Sequence, residues 1–82
     1  MKVIITPRAQ KDFSKLPPTE RKKIQRHLLV LASDPFIGKK LEGELQDQRS
    51  LRAWPYRILY SVKQREKEVW VASILHRQGA YK

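Results

Sequence analysis

The sequence predicts an α+β fold, and three observations carry that reading. Apolar residues recur at helical spacing only between residues 7 and 33, strand-like alternation takes over from residue 49, and prolines fall at the junctions. Met1 to Thr6 reads as a short strand, with Val3, Ile4 and Ile5 supplying β-branched apolar character. Thr6-Pro7 then starts a helix, with a hydroxyl to cap it and a proline at the first helical position. Ala9, Phe13 and Leu16 form its apolar stripe, and Pro17-Pro18 ends it.

Thr19 is expected to cap a second helix, with Glu20 in its first turn. Ile24, His27, Leu28, Leu31 and Ala32 make the buried stripe, and Asp34-Pro35 stops the helix. The two helices form an antiparallel hairpin. Residues 34–47 read as a long loop, with a turn around Leu41 and Leu45. Arg49 to Ala53 is a strand closed by Trp54-Pro55, and Tyr56 to Lys63 is the clearest strand, with Tyr56, Ile58, Tyr60 and Val62 on one face. The tetrad Arg65-Glu66-Lys67-Glu68 overlaps a tight turn without glycine. Val69 to His76 is the last strand. Its faces, Val69/Val71/Ser73/Leu75 and Trp70/Ala72/Ile74/His76, are both largely apolar, which places it inside the sheet.

The expected order is β-α-α-β-β-β in a single domain spanning 1–82. An N-terminal strand and a two-helix hairpin precede a three-stranded antiparallel meander, and the helices pack on one face of a twisted sheet. The other face is left open and partly basic.

Composition narrows the function. Lys plus Arg number 18 against 8 Asp plus Glu, a net charge of +10, while 40% of residues are hydrophobic. A folded domain with that excess attracts polyanions, so nucleic acid or an acidic protein is the expected partner. There is no cysteine and there are only two histidines, His27 and His76, which excludes disulfides and a zinc site built from this chain alone; no cofactor is implied. The longest apolar run, Leu28 to Ala32, is too short to span a membrane, and a cytoplasmic location is expected.

Three clusters could carry chemistry. Arg49, Arg52 and Arg57 surround Trp54-Pro55, and arginine suits bidentate phosphate recognition. Arg57 lies in an otherwise apolar strand and needs a partner, either a phosphate or a carboxylate of Glu42, Glu44 or Asp47. At the C-terminus, His76, Arg77 and Tyr81 bring an imidazole, a permanent cation and a phenol within six residues. RNA cleavage by the adjacent 2′-hydroxyl needs a proton acceptor, positive charge at the phosphate and a donor to the leaving oxygen. On composition alone, a strand-end histidine is more often structural. The third cluster, Arg8, Lys11, Lys15, Arg21, Lys22, Lys23 and Arg26, reads first as a solvated face and second as a surface that steers RNA. His27 reads as a packed helix residue.

The chain resembles the RelE/ParE superfamily of type II toxin–antitoxin toxins over nearly its full length. The matching pieces are Thr6-Pro7-Arg8-Ala9, Lys11-Asp12-Phe13 with Leu16-Pro17, Asp34-Pro35, Lys40-Leu41-Glu42-Gly43, Leu51-Arg52 with Tyr56-Arg57-Ile58-Leu59-Tyr60, and His76-Arg77 with Tyr81. The resemblance to the RelE-like branch implies a metal-independent endoribonuclease that cleaves mRNA in the ribosomal A site and is neutralised by a cognate acidic antitoxin. It implies that Arg57 binds phosphate, Arg77 neutralises the transition state and Tyr81 orients or stacks the substrate. Arg49, Arg52, Lys39 and Lys40 are the further RNA-binding candidates. The lysines of the best-known RelE pattern are missing from Gln48-Arg49-Ser50-Leu51-Arg52, which makes His76 the candidate base. The alternative is a ParE-like inhibitor of DNA gyrase, which the same fold permits.

Overall fold

A computed structural model of the chain describes residues 1–41 and 48–77. Its elements run β1 (Lys2–Ile5), α1 (Pro7–Ser14), α2 (Pro18–Ser33), β2 (Lys39–Lys40), β3 (Arg49–Ala53), β4 (Tyr56–Lys63) and β5 (Glu68–His76). The strands form one five-stranded sheet in the order β1-β5-β4-β3-β2. β1 runs parallel to β5, and every other neighbouring pair is antiparallel. The predicted α+β arrangement and the interior position of the last strand are both present.

Thr6 ties the first helix to the sheet. Its hydroxyl oxygen accepts from the Ala9 amide at 3.3 Å and donates to the carbonyls of Val71 at 2.7 Å and Ala72 at 3.1 Å. β1 pairs only with residues 68–71 of β5, so the remainder of that edge needs another partner. α1 supplies one: the Asp12 carboxylate accepts the Ile74 amide at 3.1 Å. One core then joins helices and sheet through Ala9, Ile24, Leu31, Ile58, Tyr60, Val69, Val71 and Ile74.

Three local expectations are corrected. Thr19 does not cap α2. Pro17 holds the cap position, Pro18 opens the helix, and the Arg21 amide donates to the Pro17 carbonyl at 2.9 Å. Proline is suited to the first helical position because its missing N–H would have no partner there. Second, the region read as a loop over residues 34–47 contains β2, whose Lys39 and Lys40 pair with Ser50 and Arg49. Two lysines carry no strand periodicity, so only the backbone pairing reveals this strand. Third, β5 does not alternate regularly. Ile74 pairs with Ile58 and Ser73 with Leu59, but Val71 pairs with Tyr60, leaving Ala72 as an extra residue. The phase changes there. Val69, Val71, Ile74 and His76 share the helix-covered face, while Trp70, Ser73 and Leu75 share the open one.

The glycine-free turn is accommodated at Lys67, whose φ of 56° is left-handed and whose amide donates to the Gln64 carbonyl at 3.2 Å. Among the described residues no helix is long and apolar enough to cross a membrane.

Candidate functional site

β3 and β4 place the basic residues through their register. Arg52 is paired with Arg57, Ser50 with Leu59, and Arg49 with Tyr60. Paired residues share a face, so Arg52 and Arg57 stand side by side on the open face. Like charges directly opposite one another repel, and an anion between them relieves that repulsion. Both line a cleft of about 380 Å³ together with Lys39, Ser50, Ile37 and Leu41. Three cations therefore converge on one concavity, and no described carboxylate lines it. The acidic residues considered as alternative partners for Arg57, namely Glu42, Glu44 and Asp47, lie outside the described residues.

Arg49 does not join this group. Its guanidinium donates to the carbonyl of Gly38 at 2.9 Å and of Phe36 at 3.4 Å, and it lies 5.0 Å from the centroid of the Phe36 ring. Those contacts hold the segment before β2 against the sheet. Tyr60 holds it from below. The Tyr60 side chain is fully buried, and its hydroxyl oxygen accepts the Gly38 amide at 2.8 Å. Gly38 is required by this close approach. A Cβ there would lie 2.8 Å from Tyr60 Cε1 and 3.0 Å from the Ser50 carbonyl oxygen, and would collide with the Tyr60 hydroxyl. Burial raises the Tyr60 pKa above its ordinary value of 10.0; the Gly38 hydrogen bond and the Arg49 charge oppose that rise. Lys39 follows Gly38 directly, so this buried network fixes one wall of the cleft. Lys40, paired with Arg49, is exposed and is not among the residues lining the cleft.

At the end of the sheet, the Arg77 amide donates to the Pro55 carbonyl at 2.8 Å, closing β5 onto the β3–β4 turn. The Arg77 guanidinium then lies 5.1 Å from the centroid of the Trp54 ring, and Arg52 lies 5.9 Å from it. Trp54 thus gathers one arginine from the cleft and one from the chain terminus. Lys23 of α2 joins from the other side, donating to the Trp54 carbonyl at 2.8 Å and to Glu20 at 3.1 Å. Of the remaining helical cations, Arg8, Lys11, Lys15, Lys22 and Arg26 are exposed, as a solvated face would be, and Arg21 is half-buried.

His76 is positioned differently. It pairs with Tyr56 while Arg57 pairs with Leu75, so the imidazole and the Arg57 guanidinium start from opposite faces. Its ring meets the Tyr56 ring edge-on at 5.3 Å between centroids. His27 behaves as the packed helix residue expected, with Nδ1 2.8 Å from the Lys23 carbonyl oxygen. Tyr81 lies outside the described residues. The sequence reading treats Trp54 only as the turn that Arg49, Arg52 and Arg57 surround, and Lys23 only as one of the helical cations; the signal for a closer role is an aromatic residue set between arginines in Arg52-Ala53-Trp54-Pro55-Tyr56-Arg57. Among the described residues, no group of histidines and carboxylates could hold a metal ion.

Comparison with known proteins defines the family. A comparison with curated proteins finds no match. Among solved structures, the RelBE2 toxin–antitoxin complex of Mycobacterium tuberculosis contains a chain with a TM-score of 0.87 and 31% identity, the match covering 93% of this chain and 96% of that one. The isolated E. coli RelE toxin matches with a TM-score of 0.79 and 29% identity, over 92% of this chain and 82% of that one. A chain of the archaeal RelE–RelB complex from Pyrococcus horikoshii has the same fold, with a TM-score of 0.78 and 24% identity over 93% of each chain. The family model described as the ParE toxin of the type II toxin–antitoxin system parDE matches residues 3–81. On that extent of agreement, the chain belongs to the ParE toxin family of type II toxin–antitoxin systems and is built on the fold of the RelE toxins.

Proposed function

We propose that this toxin is a metal-independent endoribonuclease that cleaves mRNA in the ribosomal A site, arrests translation and is neutralised by a cognate acidic antitoxin. The observation that supports this reading most directly is the cleft lined by Lys39, Arg52 and Arg57, with Arg77 brought to its border by Trp54. In the reaction, the substrate's 2′-oxygen bonds to the adjacent phosphorus, and the bond to the 5′-oxygen breaks. Negative charge grows on the phosphate oxygens as this happens. Arg57 binds that phosphate, Arg52 and Lys39 hold its neighbours, and Arg77 stabilises the developing charge. Tyr81 has the substrate-orienting role that the family resemblance implies. His76, the candidate base, is the last residue of β5 and must act around the strand end, because the β4–β5 register turns it away from Arg57. The antitoxin assignment is supported by the net charge of +10 and by the toxin–antitoxin complexes among the structural relatives.

The second reading is inhibition of DNA gyrase, which the family resemblance and the shared fold permit. One experiment separates the two. The purified toxin is added to a reconstituted translation system lacking gyrase, and the 5′ ends of the message are mapped. Arrest with cleavage at ribosome-occupied codons is expected. Normal translation, together with loss of supercoiling activity in a gyrase assay, would overturn the ribonuclease assignment.

A further inference from the structure

Trp54 is 55% exposed, although the turn that carries it is tied to two other parts of the protein. Its backbone is held by Lys23 from α2, and the neighbouring Pro55 carbonyl is held by the Arg77 amide. Two guanidinium groups lie 5.1 Å and 5.9 Å from its ring centroid. Neither arginine forms an ion pair with a described carboxylate. Here the ring stays open to solvent, with positive charge around it and the phosphate cleft next to it through Arg52.

We propose that Trp54 is a stacking platform for a nucleobase of single-stranded RNA, placed so that the phosphate of the same or the adjacent nucleotide enters the Lys39–Arg52–Arg57 cleft. The inference rests on the ribonuclease reading and adds a binding subsite to it. The chemistry is general: an indole face stacks on any base, and arginines beside it hold the flanking phosphates, a combination that serves single-stranded nucleic acid without reading its sequence. A duplex is disfavoured, because its bases are already stacked on each other. Arg52 belongs to both halves of the site, lining the cleft and lying against the indole. It therefore links base stacking to phosphate position, and loss of the ring would loosen both.

The test uses intrinsic fluorescence. The other tryptophan, Trp70, lies on the open face away from this turn, with its Nε1 donating to Glu68 at 3.1 Å, and Trp70→Phe leaves Trp54 as the sole reporter. This protein is titrated at low salt with a short 2′-O-methyl oligoribonucleotide, which cannot be cleaved. Saturable quenching of Trp54 emission is expected. Trp54→Ala should weaken binding roughly tenfold to a hundredfold, the range found when a stacking aromatic is truncated, and Trp54→Phe should retain most of the affinity. An abasic oligomer of the same charge should bind without quenching. Should Trp54→Ala fail to fold, Trp54→Leu keeps the apolar bulk and removes the ring. Tight binding with unquenched Trp54, or equal affinities for the Phe and Leu variants, overturns the stacking site and leaves the ribonuclease reading intact. Quenching by an acidic peptide but not by RNA would make Trp54 part of a protein interface and also overturn the proposal. If the parent toxin cleaves no ribosome-bound message, the wider reading fails and the subsite falls with it.

Discussion

Arg49 and Arg52 lie on the same short strand, one turned toward the helix-covered face and the other toward the open one. On the covered face Arg49, Tyr60 and Asp12 all have protein partners. Arg49 binds two carbonyls and lies on Phe36, Tyr60 accepts an amide, and Asp12 accepts another from β5. On the open face, Arg52 stands opposite Arg57 beside a cleft, against an exposed indole. The covered face uses its charge to hold a segment in place, whereas the open face gathers Arg52 and Arg57 at the cleft. On the ribonuclease reading, that difference separates residues that shape the site from residues that act in it.

The comparison is broken most severely at Arg57. Arg57→Ala is expected to reduce cleavage of ribosome-bound mRNA by about a hundred- to a thousandfold, the loss typical when one donor to a developing charge is removed, with the melting temperature nearly unchanged. Arg49→Ala should do the reverse, costing about 1–3 kcal/mol of stability through lost charged hydrogen bonds while the folded fraction still cleaves. Calorimetry and single-turnover kinetics on both variants decide the matter. A stable Arg49→Ala protein as inactive as Arg57→Ala would return Arg49 to the phosphate site.

A smaller effect is expected at Gly38. Gly38→Ala forces a methyl group against the Tyr60 ring and the Ser50 carbonyl, an overpacking that costs about 1–3 kcal/mol. Denaturant unfolding should show it. An unchanged midpoint would mean that β2 can move away from the sheet freely, and that the cleft wall is not anchored as described.

The mildest test concerns Tyr60. Tyr60→Phe removes the acceptor of the Gly38 amide and should cost about 1 kcal/mol. It should also change the alkaline limb of stability. Burial raises the pKa of this phenol above the ordinary 10.0, so below that value both folded and unfolded chains carry the proton. Above it the unfolded chain ionises first, and stability falls as pH rises. Thermal melts between pH 9 and about pH 11 should decline less steeply for Tyr60→Phe. Parallel declines would show that Tyr60 does not limit stability in alkali.

Much of the fold was legible because it rests on regular signals. Ala9, Ile24 and Leu31 follow helical spacing and are fully buried, and β4 alternates as its residues suggest. What escaped was set by single irregular residues. Ala72 shifts the phase of β5, so the faces read from simple alternation are exchanged beyond it, and a bulge of one residue has no compositional mark. β2 is two lysines defined by pairing alone. In the site, Arg52 and Arg57 could be placed together because both flank one turn. The separation of Arg49 could not be read, since it depends on carbonyls eleven and thirteen residues away in the chain. The contact of Arg77 with Trp54 could not be read either, since it depends on where β5 ends against that turn.

The brevity of β2 bears on how copies of the toxin meet one another. A sheet edge is a template that any exposed strand can extend, and long bare edges promote self-association. Among the described residues the outermost strand on one side is two residues long, and both carry ammonium groups. A second copy approaching that edge would bring lysine against lysine on a body already charged to +10, so the arrangement that crowds cations around the cleft also discourages growth of the sheet from that side.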